Sequence, residues 1–240
     1  MMYLDLYNEK LKRIDLLRLP NHIAFIMDGN RRWSKRNNLP SFVGHKKGFV
    51  NFKDIVFFSK ELGIKELSFF AFSKENWNRS NEEVNFLLNL MLFYTNREIF
   101  RIIEEGIRVR IIGDKESIPS ELREAFNKIE RESEIFDKMT VNVMINYSGQ
   151  YDVLQAIKKI IHSGYGSEQV DYDLINSFLL ISSPDLLIRT GGEYRISNFI
   201  LFQLAYTELY FSQKMWPDFQ IDDLIDAIID YQGRERRWGK

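Results

Sequence analysis

The chain has 240 residues, with 33 Lys and Arg against 34 Asp and Glu, a formal net charge of −1 and 45% hydrophobic residues. That balance excludes a global field for nucleic acid or anionic membrane, so any anion site must be local. There is no cysteine, which excludes disulfides, thiolate metal sites and cysteine nucleophiles and fits a reducing, cytoplasmic location.

Residues 1–20 read as an N-terminal amphipathic segment, a short helix ending before Pro20. Asp5, Glu9, Lys10, Lys12, Arg13 and Asp15 interrupt it, so it lacks the apolar run of a signal peptide. It is expected to pack on the domain, with peripheral membrane contact as the alternative. No run approaches the ~18 apolar residues a spanning helix needs. Residues 21–240 read as one domain.

The stretch Asn21 to Trp33 opens with an apolar run, Ile23 to Met27, then switches to Asp28-Gly29-Asn30 and two arginines. One reading is a buried parallel strand that delivers a site at its carboxyl end. The other is a core strand followed by an ordinary Asp-Gly turn. A polar stretch, Ser34 to Asn38, leads to Gly44-His45-Lys46-Lys47-Gly48 and a helical pattern to Leu62, closed by Gly63. Leu67 to Phe72 reads as a second strand. Ser80 opens a long helix to about Glu105, with Glu83 as capping-box partner. Its middle, Phe86 to Tyr94, is apolar almost all round, so it is a core helix or lines a long hydrocarbon ligand.

Val109 to Ile112 and Thr140 to Asn146 read as strands, with a helix over Pro119 to Glu134 between them. Helices are expected at Tyr151 to His162 and Asp171 to Leu180, a strand at Asp185 to Ile188, and a helix at Asn198 to Ala205. Glu208 to Phe211 makes a short last strand, and Asp222 to Gln232 a closing helix. Strands alternating with helices predict an α/β fold with a mainly parallel central sheet covered on both faces.

The polar clusters at Asp28, Ser73 to Arg79 and Arg189 to Ser197 all follow predicted strands. In an open parallel sheet those ends share one rim, where ligands bind. The expected rim holds Arg32, His45, Arg79, Arg189 and Arg195 beside Asp28 and Glu208. Arginine suits bidentate phosphate recognition. Gly29, Gly44, Gly191 and Gly192 are expected to let backbone N–H groups approach an anion. Two isolated carboxylates among arginines point to Mg²⁺ bridging a polyphosphate; surface salt bridging is the bland alternative. No P-loop and no G-x-G-x-x-G follows the first strand, so nucleotide binding is not favoured. Asp222-Asp223-Leu224-Ile225-Asp226 spells a magnesium motif of all-helical prenyltransferases, but it reads as an acidic helix start.

The blocks HIAFIMDGNRRW, GHKKG, FSKENWNR, INYSGQYD, RTGGEYRISNF and AYTELYF…WPDF resemble the cis-prenyltransferase family, in the family's order from about residue 21 onward. The resemblance implies a homodimer with a hydrophobic tunnel in each subunit. It implies successive condensation of isopentenyl diphosphate onto farnesyl diphosphate, yielding a C55-like polyprenyl diphosphate for cell-wall lipid carrier synthesis. Asp28 takes the essential carboxylate role with Mg²⁺. Gly29, Asn30, Arg31, Arg32, Trp33, Ser41 and His45 fall on the allylic diphosphate block. Arg189, Arg195 and Ser197 correspond to the isopentenyl diphosphate site, and Glu208 to a metal ligand reached across or near the dimer interface. Ser73, Glu75, Asn76, Trp77 and Arg79 match a mobile segment that orders over the substrates. Arg237-Trp238-Gly239 matches a tail that reaches the partner's site. The reaction needs a proton acceptor, and diphosphate or a Ser73/Asn76 relay both stay open.

Two positions depart from the family pattern. Arg31 stands where glycine is frequent. Ser41 stands where an arginine usually grips the allylic diphosphate, so weaker allylic affinity is expected unless Arg36, Lys46 or Lys47 substitutes. Two rival readings are a non-catalytic family subunit and a phosphotransferase with Asp28 as nucleophile. The first loses the carboxylate or the R-x-R-x-S cluster, which this chain keeps. The second needs an acid where Asn30 stands.

Overall fold

The computed structural model describes residues 7–235. Arg237, Trp238 and Gly239 of the expected tail therefore lie outside the described residues. Six strands form one sheet: β1 (His22–Ile26), β2 (Glu66–Ser73), β3 (Arg108–Ile112), β4 (Thr140–Tyr147), β5 (Leu186–Arg189) and β6 (Glu208–Phe211), in the order β3-β4-β2-β1-β5-β6. The β1–β2, β1–β5, β3–β4 and β5–β6 pairs are parallel. The helices are α1 (Asn8–Leu11), α2 (Asn30–Arg36), α3 (Ser41–Leu62), α4 (Asn81–Glu104), α5 (Ser120–Ser133), α6 (Gly149–His162), α7 (Tyr172–Phe178) and α8 (Ile221–Gly233). The expected α/β architecture is present, because parallel neighbours require crossover connections and helices supply them.

The chain divides into two compact units. One comprises the chain up to Phe69, Pro184–Ile196 and the chain from Tyr206; the other comprises Phe70–Ser183 and Ser197–Ala205. In the first, all five residues of β1 are buried. Phe25 stacks on Phe69 at 4.9 Å and meets Trp216 edge-on at 5.9 Å. Each such buried aromatic contributes about 1.5–3 kcal/mol of burial energy. In the second unit Phe70 stacks on Phe199 at 4.5 Å, and Tyr147 packs edge-on against both rings.

Local signals set most helix ends. Gly63 closes α3 at φ 100°. Side-chain oxygens of Ser80, Ser148 and Asp171 accept the free N–H groups opening α4, α6 and α7. The acidic run at 222–226 is a helix start: Asp223 accepts the Gln220 N–H at 2.8 Å and pairs with Lys214 at 2.7 Å. Asp222 pairs with Lys10 at 2.9 Å.

Three expectations change. The N-terminal segment is not one helix. After α1 it becomes a 3₁₀ turn, Leu16–Arg18, opened by Asp15, whose carboxylate takes the Leu17 N–H at 2.9 Å. That local bond competes with a continuous helix. The segment packs on the domain through Gln232, which donates to Asp15 O at 2.7 Å. Residues 198–205 form only a 3₁₀ turn, Phe202–Leu204, because Ser197, Asn198 and Ile200 have φ of 50°, 60° and 40°, outside the right-handed helical region. The first part of the polar stretch Ser34 to Asn38 is helical, as the end of α2 (Asn30–Arg36). Helix α4 buries Val84, Leu87 and Leu88 while Phe86, Leu90, Met91 and Leu92 are half-buried and Phe93 is exposed. Among the described residues no helix is long and apolar enough to cross a membrane.

Candidate active site

In the first unit, β1 and β5 run side by side and end level, Ile26 opposite Arg189. The chain leaving β1 reaches Asp28 two residues later. Asp28 O is held by the Trp216 N–H at 2.9 Å and the Thr190 hydroxyl at 2.8 Å. This fixes the backbone that carries the carboxylate. Arg189 Nη2 donates to Asp28 Oδ2 at 2.8 Å, and Arg32 Nη2 lies 3.2 Å from Oδ1. Arg32 Nη1 donates to Glu193 at 3.2 Å, and Arg195 donates to the other oxygen of Glu193 at 2.5 Å. Arg189 Nη1 also donates to the Arg195 carbonyl.

The result is an alternating chain, Arg189–Asp28–Arg32–Glu193–Arg195, with three cations and two anions. Its surplus is positive although the protein is close to neutral. Arg189 is buried by its position in β5, while Arg32 and Arg195 are largely exposed. A polyanion reaching the cluster would therefore meet two exposed guanidinium groups and one buried guanidinium.

The glycines do different work from that expected of three of them. The Gly44 N–H goes to Ser34 Oγ at 2.8 Å, that of Gly191 to Lys214 O at 2.7 Å, and that of Gly192 to Ser212 O at 2.9 Å. These donors are engaged within the protein. What the positions require is the absence of a side chain. A Cβ on Gly44 would stand 2.1 Å from Asn30 O, and one on Gly48 2.4 Å from Asn30 Oδ1. The pair lets α3 cross close over the start of α2. A Cβ on Gly191 would stand 2.6 Å from Arg32 Nη2. Gly29 has φ 109°, and a Cβ there would meet Met215 at 2.8 Å. Asn30 donates to Met27 O at 3.3 Å.

On α2, Arg31 is exposed and Trp33 buried, its indole N–H donating to Asp218 at 2.7 Å. Arg36 and Lys47 also pair with Asp218. Burial pushes the Asp218 carboxyl up, but the hydrogen bonds from Trp33 and Arg36 and the Lys47 charge outweigh it and hold it below the usual carboxylate range. Arg36 and Lys47, two candidates to replace the arginine missing at Ser41, are thus drawn to this acid. Ser41 is exposed at the first residue of α3, one turn before the half-buried His45.

Glu208 does not join this rim. It opens β6, and the register sets it beside Leu186, with Phe211 beside Arg189. It therefore lies roughly 10 Å along the strand before the level of Arg189. It pairs with Arg234 at 2.8 Å. The rim expectation failed because the acid stands at the amino end of its strand, not the carboxyl end.

In the second unit, Lys74–Asn78 is a 3₁₀ turn capped by Ser73 and Arg79, and most of its polar side chains have partners. The Ser73 N–H donates to Asn76 Oδ1 at 3.2 Å. Lys74 pairs with Asp114 at 2.9 Å, the Trp77 indole N–H donates to Asn146 at 2.8 Å, and Arg79 pairs with Glu83 at 2.8 Å. Asn198 donates to Glu75 at 2.7 Å. Burial raises the Glu75 carboxyl, but the Asn198 bond, with backbone and Ser73 hydrogen bonds, brings it below its ordinary value. Thr190 and Glu193 lay within the expected Arg189 to Ser197 cluster but were given no role, and Asn198 was not among the expected residues. Glu193 lies in Thr-Gly-Gly-Glu, too generic a string to stand out, and Asn198 was hidden in an expected helix.

The donor set accommodates a hard divalent cation only in part. No group of three or more His, Asp or Glu side chains that could hold a metal occurs among the described residues. Asp28, partly exposed and with oxygens already facing two guanidiniums, fits Mg²⁺ that arrives with most of its ligands as phosphate oxygens.

A parallel α/β sheet whose strand ends gather three arginines around Asp28 and Glu193 defines a protein with a site suited to a polyanion. The relatives supply the family. The family model described as "Putative undecaprenyl diphosphate synthase" matches residues 26–239. An isoprenyl transferase of Aquifex pyrophilus is 45% identical over 227 residues, covering 93% of this chain and 97% of its own. A chloroplastic (2Z,6Z)-farnesyl diphosphate synthase of Solanum lycopersicum is 44% identical over 250 residues, covering 98% of this chain and 86% of its own. Lavandulyl diphosphate synthase from Lavandula x intermedia, solved in complex with dimethylallyl diphosphate, has a TM-score of 0.90 at 35% identity, over 93% of this chain and 100% of its own. A probable undecaprenyl diphosphate synthase from Campylobacter jejuni has a TM-score of 0.80 at 28% identity, over 92% and 99%. The chain belongs to this prenyltransferase family, and it is a transferase of prenyl groups in isoprenoid biosynthesis.

Proposed function

We propose that the protein condenses isopentenyl diphosphate successively onto farnesyl diphosphate, with Mg²⁺, to make a long-chain, C55-like polyprenyl diphosphate for a cell-wall lipid carrier, acting as a cytoplasmic homodimer. The observation that carries the reading is the alternating cluster around Asp28. Three arginines and a carboxylate are the groups a diphosphate leaving group requires. The names of the relatives include makers of short products, so the family alone does not carry the length.

Breaking an allylic C–O bond leaves negative charge on the departing diphosphate. Asp28 would hold Mg²⁺, and the ion would supply Lewis-acid stabilisation of that charge. Arg32, on the α2 side of the cluster with Gly29, Asn30 and His45, serves the allylic diphosphate. Arg189, Arg195 and Ser197 serve the isopentenyl diphosphate. A substrate phosphate that replaces Glu193 between Arg32 and Arg195 gains two charge-assisted contacts. Arg189, fixed in β5, holds the Asp28 carboxylate in place and oriented for the metal. The proton lost after C–C bond formation goes to diphosphate or through Ser73 and Asn76. Glu208 serves as metal ligand across the dimer, which is consistent with its distance along β6 from Asp28. Release of so apolar a product would bring the dimer into transient contact with a membrane.

The test is an elongation assay with labelled isopentenyl diphosphate, farnesyl diphosphate and Mg²⁺, followed by mass analysis of the lipid. A ladder ending near C55 is expected. A single short condensation product overturns the chain-length reading, and no condensation overturns the catalytic one.

A further inference from the structure

The segment after β5 contains an arrangement that the chemistry above does not use. Ser197, Asn198 and Ile200 have φ of 50°, 60° and 40°. Three residues other than glycine in the left-handed region within four positions are rare, and a β-branched one there is a genuine outlier. Such a backbone persists only where its surroundings over-determine it.

Those surroundings lie in the second unit and centre on Asn198. Its carbonyl accepts the Gly149 N–H at 2.7 Å, and its Oδ1 accepts the Gln150 N–H at 3.1 Å. Both donors are free N–H groups at the start of α6. A Cβ on Gly149 would stand 2.6 Å from Leu201 Cγ and 2.9 Å from Leu201 N, so the segment lies directly on the helix start. Downstream, Gln203 Nε2 donates to Asp152 Oδ2 at 3.0 Å. Asp152 is wholly buried and also takes the Tyr147 hydroxyl and the Leu180 N–H at 3.0 Å each. The remaining Asn198 group, Nδ2, donates to Glu75 at 2.7 Å, in the turn that carries Ser73 and Asn76.

We infer that Asn198 is a positioning residue for isopentenyl diphosphate: it holds Ser197 left-handed against the start of α6 and ties it to the Lys74–Asn78 turn through Glu75. The inference rests on the reading of Ser197 as a ligand of that substrate. Asparagine suits the role because it tolerates the left-handed region and carries both an acceptor and a donor.

The test uses the full-length protein with both diphosphates and Mg²⁺. Asn198→Ala should raise KM for isopentenyl diphosphate about ten-fold, as expected for losing a charge-assisted hydrogen bond, with KM for farnesyl diphosphate unmoved. Asn198→Asp keeps the acceptor for Gln150 but sets two carboxylates against each other. Its KM for isopentenyl diphosphate should fall as pH is lowered, because the facing pair takes up a proton. Adding Glu75→Gln to Asn198→Asp restores the bond with donor and acceptor exchanged, and should return KM toward wild type. If the double variant stays as impaired as Asn198→Asp, or if both KM values rise together, the positioning role is overturned. Elongation by wild type with unmoved KM in Asn198→Ala overturns this inference alone. Absence of elongation by wild type overturns the reading of the site and this inference with it.

Discussion

Arg189 and Asp28 are 161 positions apart and meet at 2.8 Å, Nη2 to Oδ2, where β5 and β1 end level. The guanidinium is buried and the carboxylate partly exposed. The buried partner therefore fixes the exposed one, and not the reverse. Arg189→Lys keeps the charge but loses the fork that reaches both Asp28 and the Arg195 carbonyl. We expect kcat/KM for elongation to fall on the order of 100-fold, measured by steady-state incorporation of isopentenyl diphosphate.

Removing the acid itself should separate binding from turnover. Asp28→Ala is expected to lower kcat by on the order of 1,000-fold, the upper range for loss of one group that stabilises transition-state charge. Farnesyl diphosphate binding, measured by calorimetry without isopentenyl diphosphate, should persist through the arginines. Full activity in this variant would remove Asp28 from the metal role.

Ser41 stands exposed at the first residue of α3, with Arg36 and Lys47 drawn to Asp218. Ser41→Arg should therefore tighten farnesyl diphosphate binding by about ten-fold, the effect of one added charge-assisted contact. A titration showing no gain would mean that the grip is already supplied by other groups.

Asp218 gives a pH prediction. Its folded-state carboxyl lies below the ordinary 3.8. Its stabilising effect is thus fully present above that value and is lost as pH falls through the lower folded one. Thermal melts of wild type should lose stability more steeply below pH ~4 than melts of Asp218→Asn, whose neutral amide has no such proton to bind. Parallel acid limbs would show that the Trp33, Arg36 and Lys47 contacts do not favour the carboxylate.

Gly44→Ala tests the helix crossing. The added carbon would stand 2.1 Å from Asn30 O, and a backbone oxygen cannot swing away. Overpacking of this kind costs about 1–3 kcal/mol, and each kcal/mol lowers Tm by about 2–4 °C in a chain of this size. Allylic binding should weaken as well, because α2 carries Arg32.

Strand positions, most helix ends and the family were legible in the sequence because they rest on local information. An apolar run such as Ile23 to Met27 makes a buried strand wherever it lies, and Ser80, Ser148, Asp171 and Gly63 act within one helical turn of themselves. Asp28, Arg32, Arg189 and Arg195 were legible as a group because parallel strands bring their carboxyl ends to one edge. The sequence could not order that group. Glu193 between Arg32 and Arg195, and Thr190 on the Asp28 carbonyl, depend on how two distant loops fold back on each other. Nor could it reveal that the Gly44, Gly191 and Gly192 N–H groups are engaged internally, since a glycine kept for closeness and one kept for an anion look alike in one dimension. Register assigned Glu208 to the amino end of β6, and long-range docking on α6 forced Ser197 to Ile200 out of the helix their composition predicted. Local propensity selects the elements; which polar atoms meet is decided by contacts between segments far apart in the chain, 48 residues for Asn198 with Gln150 and 161 for Arg189 with Asp28, and only the packed sheet fixes those.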